Sequence, residues 1–218
     1  MTGGSPLGGG YAESEANPGP TAAAVLQAAR SGAAGSHLAV LAGPPGVGKS
    51  TVAARVVAVA PNSLWIDKDA TAAGFVLQAA RDAGLDESSA YGTTHYWQVL
   101  RPLEYAGALS VACANLVGTR LVLLVGGWGP ELSLGDLWPQ LRARLAPARL
   151  SVVHLDPPPL ESWQSRMADR GWPVAGPGFA QFARAVARFA VWEGAVRLSS
   201  DRPRHVLVQE VLRVLALP

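Results

Sequence analysis

The residues best suited to chemistry lie in one octapeptide, Gly43-Pro44-Pro45-Gly46-Val47-Gly48-Lys49-Ser50. It fits the pattern G-x-x-x-x-G-K-[ST] at each fixed position, and the pattern has a mechanical meaning. Gly43, Gly46 and Gly48 let the backbone wrap so that successive N–H groups, that of Val47 among them, converge on an anion. A helix starting behind them adds the positive end of its dipole. Lys49 would neutralise the outer phosphates of a nucleotide, the Ser50 hydroxyl would ligate Mg2+, and Thr51 would add a phosphate contact. The competing reading is a chance turn in a chain with 24 Gly and 17 Pro. The lysine argues against it, because only Lys49 and Lys68 are lysines among 18 basic residues.

A second set of candidates is Asp67 and Asp69, in the run Trp65-Ile66-Asp67-Lys68-Asp69. If Asp67 ends a strand, both carboxylates stand at the sheet edge onto which the glycine loop opens. Asp67 is then read as the metal-side acid or the base, and Asp69 as the group facing the acceptor. The alternative for Asp69 is a helix N-cap ahead of Thr71.

Elements must position these groups. Continuous apolar runs at 37–43, 63–67, 120–126, 149–156 and 195–200 read as strands covered on both faces. Helical segments separate them at 51–60 and 71–84, and at 94–118, where Pro102 ends one helix near Arg101 and starts the next. Two more helices, ESWQSRMADRG and FAQFARAVARFAVWEG, flank the loop WPVAGPG, and HVLVQEVLRVLAL closes the chain. Alternation of this kind predicts an α/β fold with a five-stranded parallel sheet between two helical layers. Thr21 is expected to cap a first helix, and residues 1–20, rich in Gly, Pro and Ser, to form a flexible arm, so that 21–218 make one domain.

Composition excludes several classes. Basic and acidic residues nearly balance, 18 against 16, with no run of Lys or Arg, which speaks against a nucleic-acid partner. No apolar stretch reaches membrane-spanning length, and the first residues lack the features of a secretory leader. The lone Cys113 suits a reducing compartment. A cytoplasmic protein is the expectation, with monomer and homodimer both open. No Asn-Lys-x-Asp guanine-reading motif is present, and the third strand, LVLLVGGWGPE, ends without the acid that a water-activating ATPase would place there.

The glycine loop followed by W-I-D-K-D resembles small-molecule P-loop kinases such as shikimate kinase, gluconate kinase, adenylylsulfate kinase and chloramphenicol phosphotransferase. The longer succession through Y-W-Q-V-L-R-P-L-E-Y, A-N-L-V-G and V-H-L-D-P-P-P-L-E-S-W-Q-S-R-M-A-D-R-G is similar to bacterial kinase-like proteins labelled AAA-family ATPase. The resemblance implies the three-layer P-loop NTPase fold with strand order 2-3-1-4-5, ATP and Mg2+ as cofactors, and a small-molecule acceptor. It implies a helical lid near 164–188 whose Arg166 and Arg170 cover the phosphates and act in catalysis with Lys49, Asp67 and Asp69. Arg101, accompanied by Glu104, Tyr96 and Tyr105, falls where such kinases hold substrate; for Glu104 an ordinary surface ion pair is the other reading. Trp128 and Trp172 are candidate walls for the acceptor, and Arg202 and Arg204 border the nucleotide base. The lysine that many relatives carry after the Arg-Asp pair is missing here, leaving Arg184 and Arg188 either to replace it or to lie on a solvated face. Together these point to phosphoryl transfer from Mg-ATP to a hydroxyl, in antibiotic resistance or natural-product tailoring. The alternative is a non-catalytic or weakly hydrolytic nucleotide-binding regulatory module.

Overall fold

The computed structural model describes residues 16–86, 90–172, 174–175 and 177–216. The five strands are β1 (His37–Ala42), β2 (Ser63–Asp67), β3 (Leu121–Val125), β4 (Arg149–Asp156) and β5 (Val196–Ser199). All pair in parallel, in the order β2-β3-β1-β4-β5, which is the order expected from the sequence. Every residue of β1 and β3 is buried, as a continuous apolar run requires, whereas β2 and β5 at the edges are partly open.

Helices cover both faces. On one, α1 (Gly19–Ala28), α4 (Arg101–Ala114) and α6 (Leu137–Leu145) pack Val25, Leu109 and Leu141 against Leu38, Val40 and Val122. On the other, α2 (Lys49–Val59) and α9 (Arg204–Val214) pack Val52, Val56, Leu207 and Val211 against Leu41, Leu123 and Val153. The alternation of neighbouring strand residues between these two clusters makes three layers. Beyond the sheet edge, α7 (Leu160–Ala168) and α8 (Gly178–Ala187) join through Trp163, Met167, Phe179 and Phe182. Among the described residues no helix is long and apolar enough to cross a membrane.

Several expectations are corrected. The first helix starts at Gly19, with Pro18 at its N-cap position, so Thr21 is a buried helical residue instead of a cap. Of the expected arm, residues 1–15 lie outside the described residues. The helix after β2, α3 (Lys68–Asp82), begins directly behind the strand, and its N-cap is Asp67, whose side chain accepts from the Asp69 N–H. The capping role considered for Asp69 therefore belongs to Asp67. Pro102 does not separate two helices: a π-helical turn, Tyr96–Leu100, runs straight into α4, and the widened turn accommodates a ring that offers no N–H to the ladder. Helix α6, preceded by the four-residue α5 (Gly129–Leu132), went unread because Pro130, Pro139 and Gly135 look like loop punctuation. Pro139 sits in the first turn of α6, where a proline is tolerated.

Candidate functional site: the loop after β1

Register sets the site. Asp67 stands opposite Val125 and Leu41 opposite Val125, so the acid at the end of β2 and the loop after β1 share one edge of the sheet. Gly43 leaves β1 at φ 140° with its N–H donating to Gly127 O (3.1 Å), and a Cβ there would lie 2.6 Å from Leu155 O. Gly46 has φ 83°, and a Cβ would meet Met167 Sδ at 2.6 Å. Both positions need glycine for conformation and for space. Gly48 caps α2 in the left-handed region, Val47 turns its side chain into the core, and Lys49, Ser50 and Thr51 form the first turn of α2.

Lys49 donates to the carbonyls of Gly43 (2.8 Å) and Pro44 (2.9 Å), folding its ammonium back over the loop. Burial pushes it down to about 8; Asp69 and Asp67 work to raise it, while Lys68 and Arg170 reinforce the fall. Ser50 donates to Asp67 Oδ2 at 2.8 Å. Hydroxyl and carboxylate form a hard-oxygen pair that suits Mg2+ completed by phosphate oxygens and water, the pattern this ion prefers. Among the described residues no cluster of three or more His, Cys, Asp or Glu offers an all-protein metal cage. Asp69 follows in the first turn of α3 with its side chain 63% exposed, and Lys68 donates to its Oδ1 at 2.5 Å. Partial desolvation works to raise the Asp69 carboxyl, but Lys68, Lys49 and Arg101 outweigh it and hold the group below the usual carboxylate range.

Behind Asp69 lies a buried charge network that the sequence did not disclose. Lys68 bonds Glu104 Oε1 (2.9 Å), whose other oxygen accepts from the Tyr96 hydroxyl (3.1 Å). Burial opposes the charge on Lys68, and Tyr105, Glu104, Tyr96 and Asp69 more than compensate, so its ammonium persists well above the ordinary lysine range. Glu104 is thus a buried partner of Lys68 and no surface ion pair. Arg101 is also corrected. It is 3% exposed, grips both oxygens of Glu131 (2.8 and 2.7 Å) and stacks over Trp97 and Tyr105, which leaves it inside the wall instead of facing an acceptor. Trp128 is corrected likewise: with φ 55° and its N–H donating to the Tyr105 hydroxyl, it drives the indole into the core against Tyr105 and Trp138. Trp172 packs on the Trp163 cluster.

A cavity of about 280 Å3 opens beside the loop, lined by Gly46, Gly48, Thr51 and the guanidinium side chains of Arg166, Arg170 and Arg204. Leu207, Val208 and Val52 supply an apolar wall. Arg166 also donates to Ser200 O (3.0 Å), and Arg202, at the cavity, pairs with Glu210. Arg55 lines the same space and was missed, although its place four residues after Thr51, on the same side of α2, was a usable signal. Arg184 and Arg188 are exposed and do not line the cavity. Trp163 was missed as well: its indole donates to Pro45 O at 2.8 Å, tying α7 to the loop.

Residues 20–92, from α1 past α3, match the family model described as magnesium chelatase, subunit ChlI. That is less than half of the chain and stops before β3. No curated protein matches the sequence. Solved structures match at fold level. The tunicamycin resistance protein of Deinococcus radiodurans is 16% identical with a TM-score of 0.57, covering 84% of this chain and 97% of its own. A gluconokinase from Sinorhizobium meliloti is 17% identical with a TM-score of 0.54, covering 84% and 94%. A sugar kinase from a Janibacter species is 20% identical with a TM-score of 0.52, covering 84% and 95%. The strand order, the glycine loop on α2 and these matches over most of both chains establish that this protein has the fold of the small-molecule P-loop kinases.

Proposed function

We propose that the protein transfers the γ-phosphoryl group of Mg-ATP to a hydroxyl of a small molecule. The observation that carries this reading is the Ser50–Asp67 hydrogen bond beside Lys49, with the Asp69 carboxylate next to it and facing solvent. In the proposal ATP lies along the loop with its base toward Arg204 and Leu207, and α7 and α8 serve as the lid that brings Arg166 and Arg170 onto the phosphates. Mg2+, held by Ser50 and by Asp67 directly or through water, would neutralise charge on the β- and γ-phosphates. The acceptor oxygen bonds to the γ-phosphorus, the bond from phosphorus to the β–γ bridging oxygen breaks, and ADP leaves with that electron pair. Asp69 accepts the O–H of the incoming alcohol as a hydrogen bond, aims its oxygen, and takes the proton as the new O–P bond completes, passing it on to water. A loose transition state asks for little early proton removal, which suits a carboxylate held this acidic.

The test is transfer of labelled phosphate from ATP to a panel of small alcohols, antibiotics and natural products included. Lys49→Ala should lose nucleotide binding. Asp69→Asn should keep ATP affinity within about twofold and lower turnover about 100-fold, the scale of a group acting on the reacting oxygen. ATP consumed equally with and without every alcohol would refute the transfer and favour the hydrolytic alternative.

A further inference from the structure

A second cavity, about 340 Å3, lies on the other side of the loop crown, between Pro44, the turn after β3 and the end of α8. Leu132, Val186, Phe189 and Val191 give it an apolar wall. One buried polar side chain enters that wall. His154 is 6% exposed, and its Nδ1 lies 2.8 Å from Asp156 Oδ1. A carboxylate only accepts, so Nδ1 carries the proton in this pair. Arg197 grips the same carboxylate from the other side, Nη2 to Oδ1 at 3.0 Å, so the Asp156 charge is already matched. Burial lowers the His154 pKa against the pull of Asp156, which leaves the ring neutral and Nε2 a bare acceptor. Among the described residues nothing bonds that nitrogen. Nε2 is not among the fully enclosed atoms that lack a partner, so it meets the open space of the cavity, where a donor from an occupant can reach it.

We infer that the phosphoryl acceptor is a predominantly apolar small molecule whose body fills this cavity and one of whose O–H or N–H groups donates to His154 Nε2. The inference rests on the phosphotransfer reading for the word acceptor, while the chemistry of the cavity stands apart from it. The volume fits a drug-like fragment. The polar liners His154, Asp156 and Arg197 are bonded to one another in one corner, so a polyol would give up water from its remaining hydroxyls against Leu132, Val186 and Phe189, an unfavourable exchange. Proximity to the loop is direct: Pro44, whose carbonyl holds the Lys49 ammonium, is part of the cavity wall.

The experiment is 15N NMR of histidine-labelled full-length protein, with the His154 ring assigned by its loss in His154→Phe. Benzyl alcohol, toluene and gluconate are the probes. Benzyl alcohol should move the Nε2 resonance saturably and bind about fivefold more tightly than toluene, the worth of one hydrogen bond; gluconate should leave it unmoved. Ala187→Phe, at an exposed residue on the rim, should abolish probe binding and spare nucleotide binding, which keeps the test decisive should His154→Phe fail to fold. Equal affinity for toluene and benzyl alcohol, a shift with gluconate, or unchanged binding in Ala187→Phe would each overturn the inference. Because no turnover is measured, its failure is separable from that of phosphotransfer: loss of the probe result leaves the transfer reading standing, and failure of transfer to every alcohol of the panel leaves the cavity chemistry intact.

Discussion

The Ser50 hydroxyl donates to Asp67 Oδ2 at 2.8 Å and so fastens the first turn of α2 to the end of β2. The bond joins two elements that also pack on each other, and it aims two oxygens at the same spot. Asp67→Asn should raise the Mg2+ concentration for half-maximal turnover about 10- to 100-fold, the usual scale for a residue that holds or orients a metal ligand. Nucleotide affinity measured in EDTA should hardly change. A magnesium titration of both proteins decides it, and superimposable curves would remove Asp67 from the metal side.

Lys49 is held down at about 8 in the fold against 10.5 for a lysine in water, chiefly by burial. Its charge costs stability in full below about pH 8, and the cost fades as pH rises from 8 to 10.5, where the unfolded chain still binds the proton. A phosphate ligand favours the ammonium, so nucleotide affinity should fall by up to tenfold per unit above about pH 8. Isothermal titration with ADP between about pH 7 and 10 reads it; an affinity that stays level across that range would contradict the assignment.

Arg101 and Glu131 form a buried pair with both bonds under 3 Å. Arg101→Met removes one partner and strands the other carboxylate in the core, which should cost about 3–5 kcal/mol. Urea denaturation measures it. A loss near zero would mean that Glu131 reaches water once freed.

Acid should act through His37. This residue is buried in β1 with Nε2 2.8 Å from Ser151 Oγ, and burial, aided by Arg149, lowers it to about 4. The unfolded ring takes a proton near pH 6.5 and the folded ring does not until about 4, so stability is present above 6.5 and is lost as pH falls through that window. The loss reaches about 3 kcal/mol. His154 shifts in the same direction. The stability of His37→Gln should therefore depend less steeply on pH between 6.5 and 4 than that of the wild type, in urea midpoints taken at half-unit steps.

Much of this architecture was readable in advance because its signals are local. The all-apolar run of β1 and the glycine loop behind it each carry their meaning in consecutive residues, and five such runs alternating with helices imply the parallel sheet, while the strand order came from the kinase resemblance. What failed was orientation. Arg101 and Trp128 were assigned to the pocket by their position along the chain, yet a π turn before α4 and a left-handed residue after β3 rotate them into the core. Spacing alone cannot show such a rotation, because the partners that reward it, Glu131 and Trp138, come from elsewhere in sequence. His154 was passed over inside an apolar strand for the same reason: only the register with β5 sets it beside Arg197, which shares the Asp156 carboxylate with it at the cavity wall.

The bond from the Trp163 indole to the Pro45 carbonyl, with Met167 pressed on Gly46, ties the anion loop to the aromatic cluster of α7 and α8. In the proposed reading, a nucleotide seated on the loop would press on the same residues that hold the cover in place. Because the indole grips a main-chain carbonyl, side chains at the crown can change without undoing this tie.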